Sequence, residues 1–460
     1  MTEPITTSDL GKSILLTWYA DDFTGAAAVL EVLAFAGVRS ILFLKPPSDV
    51  QLSRFADMQA IGVASTARAQ TPEWMDNNLP AVFNSLQALN PQLLHYKICT
   101  TLDSSPTIGS IGRAIEIAHD LFKPVAVPIL VAAPQMRRYQ LFGHLFAALG
   151  DNVFRIDRHP VMMRHPVTPV TESDVAKHIC AQSKRLDTIV WSVEDMAANR
   201  LPAQPQAVDR ISAFTIDCID NASELAAGTL LWEHREQNRF VVGSQGIEFA
   251  LVRHWIESGS LQKQDEPGSA GQAKGMITVS GSVSPTTAEQ IRWSRSNGFA
   301  TIRFDVGSAC VDAAALEKEI TRVVQQSLKA LEDNTDPLIF TAEGPDDEAV
   351  VNLINSVKDS GKSMSEVNKK IGIALGQALH RVLEQSGTRR AIVSGGDTSG
   401  YVLQQLGVVA LSALAPTIPG ASLSLVHADG PLDGLEIALK GGQMGSADYF
   451  GWIRDGGGAR

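Results

Sequence analysis

Two adjacent carboxylates stand where a short apolar run gives way to a helical stretch, in Tyr19-Ala20-Asp21-Asp22-Phe23-Thr24-Gly25. Carboxylates at a strand end accept hydrogen bonds from hydroxyl groups and can take their protons, so Asp21 and Asp22 are candidates for catalysis. Asp22 alone also reads as the N-cap of the next helix, although a cap does not require two aspartates. Further along, Tyr96 to Pro106 combines one cation, Lys97, with Thr100, Thr101, Asp103, Ser104 and Ser105. That density suits a polyhydroxylated anionic ligand, and it is equally ordinary loop and capping chemistry. From Arg155 to Pro169 three arginines and two histidines sit among three prolines, in an otherwise acidic chain. A rigid basic loop carrying Arg158 and His165 could grip a carboxylate through its guanidinium groups. Paired with acids, the same residues would merely fix an irregular connection. Arg137 and Arg138, a little upstream, carry the same two readings.

Three glycine or serine turns in the second half point to phosphate. Residues 389 to 400 read Arg-Arg-Ala-Ile-Val-Ser-Gly-Gly-Asp-Thr-Ser-Gly, an apolar strand emptying into a glycine turn, with a helix expected from about Ser399. Backbone N–H groups in such a turn approach an anion closely, and the following helix favours negative charge. Asp397 and Thr398 add the carboxylate and hydroxyl that a magnesium–nucleotide site wants. A tight strand–helix turn needing glycine for positive φ has the same spacing. Ser280-Gly281-Ser282-Val283-Ser284, just before Pro285 at a helix start, is another anion-friendly turn. Lys440-Gly441-Gly442-Gln443-Met444-Gly445 again lets backbone approach a ligand, and reads equally as a glycine turn near the chain end.

The elements that must position these residues alternate between apolar strands and helices. Strands are expected at Ile14 to Tyr19, Ile41 to Leu44, Leu93 to Ile98, Val127 to Ala132, Thr188 to Trp191 and Phe240 to Val242. Helices are expected at Thr24 to Ala36 and around Ile111 to Leu121. This alternation predicts parallel sheets with helices on both faces. Residues 257–275 are rich in Gly, Ser, Gln and charge, which predicts a flexible linker or disordered loop. A second series follows with strands at Met276 to Val279, Ala300 to Phe304 and Leu338 to Thr341. The expected organisation is therefore α/β throughout: two α/β domains with mainly parallel sheets, residues 1–256 and 276–460, joined by the linker.

At 460 residues the chain exceeds one typical core. A formal charge of −11 argues against a nucleic-acid partner, and the lack of a long apolar stretch argues against a membrane span. Met1 to Ser13 is polar, unlike a secretory signal, and is expected to be a loose tail. The four cysteines, Cys99, Cys180, Cys218 and Cys310, show no zinc or disulfide spacing, which suggests reduced thiols in the cytoplasm. A nicotinamide-dependent dehydrogenase is disfavoured, because no Gly-x-Gly-x-x-Gly lies between a strand and a helix with a ribose-binding acid beyond.

Taken together, Ala20 to Gly25, Lys97 to Pro106, His165 to Pro169, Ser280 to Ser284, Gly395 to Gly400 and Lys440 to Gly445 resemble the four-carbon acid sugar kinase family. The resemblance implies a sugar-acid-binding N-terminal domain, an ATP-binding C-terminal domain, and Mg²⁺. It implies that Asp21 and Asp22 face the reactive hydroxyl, and that Lys97, Asp103, Ser104 and Ser105, with Arg158 and His165 nearby, contact the acid sugar. Ser280, Ser282, Ser284, Gly395, Gly396, Asp397, Thr398, Gly441 and Gly442 would contact the nucleotide, and Asp397 the metal. Two departures stand out: Ala26, Ala27 and Ala28 replace a frequent family acid, and the last motif departs from Lys-Ser-Gly-Asn-x-Gly. The wording around Asp157-Arg158-His159-Pro160 and Lys440-Gly441-Gly442-Gln443 is closer to a branch with oxidised or branched substrates. The expected activity is phosphorylation of a terminal hydroxyl of a small acid sugar, such as 3-oxo-tetronate or 3-oxo-isoapionate, by a protein that could act as a homodimer. The alternative is a sugar-acid-binding protein of the same fold with impaired catalysis.

Overall fold

A computed structural model describes residues 13–165, 167–202, 210–265 and 267–460. The tail reading of Met1 to Ser13 therefore falls almost wholly outside the described residues. The chain divides after Asp265 into two compact units.

In the first unit the strands are β1 (Leu16–Ala20), β2 (Ser40–Phe43), β3 (Ala60–Ala64), β4 (Leu93–Lys97), β5 (Val127–Leu130), β6 (Arg138–Leu141), β7 (His144–Leu149), β8 (Asn152–Arg155), β9 (Leu186–Trp191), β10 (Ile211–Ile216) and β11 (Phe240–Gly243). The main sheet runs β2-β3-β1-β4-β11-β5-β10-β9, every neighbouring pair parallel. Strands β1 to β4 are buried along their whole length, as central parallel strands covered on both faces must be. Gly62 on β3 is required by packing, since a Cβ there would lie 2.0 Å from the Trp18 indole. In β4 the fully buried His95 has Nδ1 2.7 Å from Glu248 Oε1 and Nε2 3.0 Å from the Gly243 carbonyl. These contacts pin β4 to its neighbour just before Lys97. Chain order reverses between β1 and β4, and ligands of open α/β sheets bind outside the carboxyl ends of strands at such a switch point.

Regular structure precedes the basic loop Arg155 to Pro169. β6, β7 and β8 form a separate antiparallel sheet, and single-turn helices at Ile156–Arg158 and Met162–Arg164 follow it.

The second unit contains β12 (Ile277–Ser280), β13 (Phe299–Arg303), β14 (Asp336–Phe340), β15 (Arg390–Ser394), β16 (Val408–Ala415), β17 (Leu423–Ala428) and β18 (Glu436–Lys440). Its sheet runs β13-β14-β12-β15-β18-β17-β16, parallel as far as β18 and antiparallel beyond. Met276, Ile291, Phe299, Leu338, Tyr449 and Phe450 build a core on one face. The switch point here lies between β12 and β15, where the serine and glycine turns emerge. Part of the segment expected as a linker is anchored: Ala270 and Ala273 N–H donate to the Gly456 and Arg454 carbonyls (2.9 Å each). Among the described residues no helix is long and apolar enough to cross a membrane.

Candidate functional site

At the first switch point Asp21 follows β1 with 2% of its surface exposed. Arg68, from the turn after β3, grips it with two prongs: Nη2 lies 2.9 Å from Oδ1 and Nε 3.3 Å from Oδ2. The same guanidinium lies 2.8 Å from Asp22 Oδ1 and 3.9 Å from Asp103 Oδ2, so one arginine organises three carboxylates. Burial pushes the Asp21 carboxyl upward, the Arg68 charge opposes this, and the Asp22 charge adds to it. Asp22 caps the helix Phe23–Phe35, its Oδ1 accepting the Gly25 N–H at 2.9 Å. The cap and the functional reading thus hold together. The Asp22 side chain keeps 26% of its surface exposed against 3% for Asp21, so Asp22 is the carboxylate that a ligand can reach.

Lys97 ends β4 almost fully buried, and its Nζ donates to the Ile98 carbonyl at 2.7 Å. A Cβ on Gly25 would lie 2.5 Å from Asp22 Oδ1 and 2.8 Å from Lys97 Nζ, so the glycine leaves room for both charges above one helix turn. In the following loop Thr101 donates to Asp103 Oδ1 at 2.9 Å, and Cys99 Sγ lies 2.9 Å from the same hydroxyl. With that proton committed, the thiol is the donor; burial pushes it up to about 11, so it stays protonated.

Ser104 is occupied by protein partners. Its hydroxyl donates to the Leu102 carbonyl (3.1 Å), accepts from Gln182 Nε2 (2.9 Å) and lies 2.9 Å from His178 Nε2. Burial lowers His178, which favours its neutral form, with Nε2 facing the Ser104 hydroxyl. Ser105 is a turn residue whose Oγ accepts the Ile108 N–H at 2.9 Å. Arg158 is exposed on its single-turn helix. His165 Nδ1 accepts the Thr168 N–H at 3.0 Å, and Pro166 of that motif lies outside the described residues. Asp157 takes Arg155 in a two-pronged pair (2.7 Å each), which neutralises part of the basic loop. Ala26, Ala27 and Ala28 are buried in the helix Phe23–Phe35.

At the second switch point Ser280 ends β12, its buried hydroxyl without a hydrogen-bond partner among the described residues. Ser284 caps the helix Pro285–Arg295, accepting the Thr287 N–H at 3.1 Å and donating to the Gly442 carbonyl. Thr398 is wedged between two turns: a Cβ on Gly281 would lie 2.3 Å from its Oγ1, and one on Gly395 would lie 2.9 Å away. Likewise a Cβ on Gly442 would lie 2.3 Å from Ser282 Oγ. Gly395 has φ +125° and turns the chain in one residue, so the helix Gly396–Gln405 begins earlier than the apolar spacing suggests. Gly396 is exposed, with open space where a Cβ would be. Asp397 falls in that first turn, and its side chain lies outside the described part of the structure.

Lys440, at the end of β18 next to Gly441, is 1% exposed. Its Nζ donates to Ser394 Oγ at 2.9 Å and the Gly441 carbonyl at 3.0 Å, with Thr287 Oγ1 at 3.4 Å. It ties three turns together, and burial lowers it to about 7.

Gly281 and Thr398 border a cleft of about 500 Å³, with Val283, Ala342, Leu353 and Ile371 among its walls. A glycine turn and a helix start beside apolar walls suit a nucleotide's phosphates and base. A larger cavity of about 1200 Å³ in the same unit is lined by Arg303, Arg322, Glu319 and Asp347. Two of its arginines are spent on neighbouring acids, Arg303 on Asp347 at 2.8 Å and Arg322 on Glu319 at 2.6 Å. The smaller cleft, at the Gly281 turn and the start of the helix Gly396–Gln405, is the better anion site. Among the described residues no three His, Cys, Asp or Glu side chains converge to hold a metal ion.

Sequence reasoning did not single out Arg68, His178 or Gln182. Arg68 acts from a turn, and His178 and Gln182 from one short helix and the turn after it, with nothing in their local spacing to mark them.

Over residues 16–251 the chain matches the family model of a sugar-binding N-terminal domain, and over residues 277–450 that of a nucleotide-binding C-terminal domain. A 3-oxo-isoapionate kinase of Paraburkholderia graminis is 39% identical over 96% of this chain and 94% of its own length. A 3-oxo-tetronate kinase of Pseudomonas savastanoi pv. phaseolicola is 29% identical over 95% of this chain and 96% of its own. A crystal structure from Salmonella typhimurium LT2 shares the fold, with TM-score 0.76 at 22% identity over 96% of this chain and 98% of that one.

Proposed function

The chain belongs to the four-carbon acid sugar kinase family, and from that premise we propose that it transfers the terminal phosphoryl group of ATP to a hydroxyl of a small 3-oxo acid sugar. The 39% relative acts, by its name, on 3-oxo-isoapionate, and this compound heads the substrate list, with 3-oxo-tetronate second. The reading rests on one observation: each switch point carries the chemistry its half of the reaction needs. The first gathers carboxylates and a lysine, and the second gathers glycine turns at a helix start.

ATP supplies the transferred group; the protein's task is to position groups and balance charge, since phosphoryl transfer asks for little covalent chemistry. Asp22, reachable and oriented by Arg68 and by the Gly25 N–H, accepts the hydrogen bond of the reacting hydroxyl and takes its proton as the new ester bond forms. Asp21, buried against Arg68, holds that guanidinium in place. Lys97 supplies positive charge beside the same spot. The backbone of Gly281, Gly395, Gly396, Gly441 and Gly442, with Ser282 and Thr398, would hold the phosphates. Asp397 is proposed to contact Mg²⁺, an ion that needs only one or two carboxylates besides phosphate and water. Four unpaired cysteines are in keeping with a cytoplasmic setting.

Asp22→Asn tests the assignment. ADP release dependent on the acid sugar should fall by about 100-fold or more, with ATP affinity by calorimetry unchanged. Near-normal turnover in the variant would remove Asp22 from the reaction. If the wild-type protein binds the acid without consuming ATP, the chain is a binding protein that has lost catalysis.

A further inference from the structure

The first switch point has a charge problem. Asp21, Asp22 and Asp103 face two cations, Arg68 and Lys97, which leaves one formal negative charge where an acid sugar is to bind. The substrate's own carboxylate needs a cation that is not already spent. Several arginines of this unit are spent on acids: Arg68 on Asp21, Arg113 on Asp76, Arg155 on Asp157, Arg185 on Asp120, Arg253 on Glu224.

Arg138 is different. It opens β6 directly after Arg137, whose φ of +56° turns the chain, and it is half-buried. Its Nη1 donates to the carbonyls of Met136 (3.1 Å), Arg137 (3.2 Å) and Ala148 (3.3 Å), which fix the guanidinium in place. Nε is buried without a hydrogen-bond partner, and among the described residues no carboxylate pairs with the group. Burial and the neighbouring Arg137 charge both disfavour its charged form. Arg138 stands on the chain that leaves β5, two strands from β4 in an all-parallel sheet, and so past the same carboxyl edge at which Asp21 and Lys97 stand. A buried guanidinium without a counter-ion is costly unless an anion completes it. Arginine is also the side chain best shaped to grip a carboxylate.

We propose that Arg138 is the specificity-determining residue that receives the carboxylate of the acid sugar, through the donors that the backbone carbonyls leave open. The inference rests on the kinase reading for the identity of the ligand. It accounts for an unpaired cation in an acidic chain, and it separates the end of the substrate that is recognised from the hydroxyl that reacts at Asp22.

The test compares 3-oxo-tetronate with erythrulose, the uncharged ketose of the same skeleton in which CH₂OH replaces the carboxylate. In Arg138→Gln, KM for the acid should rise about 10- to 100-fold, the loss expected for charged hydrogen bonds. kcat/KM for erythrulose should stay within a few-fold, and ATP affinity should be unchanged. Arg138→Lys, which keeps the charge and loses the fork, should fall between. An unchanged ratio of acid to ketose in either folded variant would overturn the assignment. If wild-type protein turns over no acid at all, the kinase reading fails separately. Calorimetric titration of wild type and both variants with 3-oxo-tetronate then decides on Arg138: loss of binding in Arg138→Gln supports it, and equal binding refutes it.

Discussion

Lys440 offers a prediction whose size follows from its surroundings. The ammonium is 1% exposed, its partners are two hydroxyls and a carbonyl, all uncharged, and burial lowers it from its ordinary 10.5 to about 7. The folded protein therefore binds this proton more weakly than the unfolded chain does. Above pH 10.5 the lysine is neutral in both states and costs nothing. As pH falls from 10.5 to 7 the unfolded chain gains a proton that the folded one resists, and stability is lost at about 1.4 kcal/mol per pH unit. Below pH 7 both states are protonated and the loss levels off. Over the window the cost reaches about 4 kcal/mol at pH 7, as an order of magnitude. Lys440→Met removes it. The Met variant also loses packing and hydrogen bonds, but that loss does not depend on pH. Its stability relative to wild type, from denaturant unfolding of the unliganded proteins at pH 7, 8, 9 and 10, should thus improve by several kcal/mol from pH 10 to pH 7. ATP, whose phosphates would pair with the charge, should stabilise wild type at pH 7 far more than the variant. A pH-independent difference would show that the lysine is already well compensated and refute the reasoning.

Gly25→Ala places a methyl 2.5 Å from Asp22 Oδ1 and 2.8 Å from Lys97 Nζ. Turnover should fall about 100-fold in a protein of normal circular dichroism, because displacing a reacting group by 1 Å costs that much. Gly281→Ala pushes on Thr398 Oγ1, 2.3 Å from the new Cβ. It should weaken ATP binding at least about tenfold, the equivalent of 1.4 kcal/mol, while calorimetric binding of the acid sugar is retained. Ser104→Ala strands the Gln182 donor and His178 Nε2, so the melting temperature should drop by the equivalent of about 1–3 kcal/mol with KM for the acid little changed. A large KM effect without loss of stability would return Ser104 to the substrate.

What could be read from the sequence tracks what is local. β1, β4 and β15 show as apolar runs because central parallel strands are buried on both faces. Asp21, Asp22, Lys97 and the glycine turns lie within a few residues of those strand ends, so motif and element were legible together. Arg68 was not, because it reaches Asp21 from 47 residues away in an ordinary Ser-Thr-Ala-Arg-Ala loop. The antiparallel β6-β7-β8 sheet was hidden for another reason: its short strands are only half-buried and carry arginine, histidine and asparagine. Asp22 shows the limit of choosing between readings from sequence, since it is a helix cap and a reachable carboxylate at once.

The most direct test of the central claim is product analysis. Purified protein is incubated with Mg²⁺–ATP and either 3-oxo-isoapionate or 3-oxo-tetronate, and the mixture is read by phosphorus NMR and mass spectrometry. One phosphomonoester of the acid should form in step with ADP, and none with Asp22→Asn. ATP bound but unconsumed with both acids would contradict the claim.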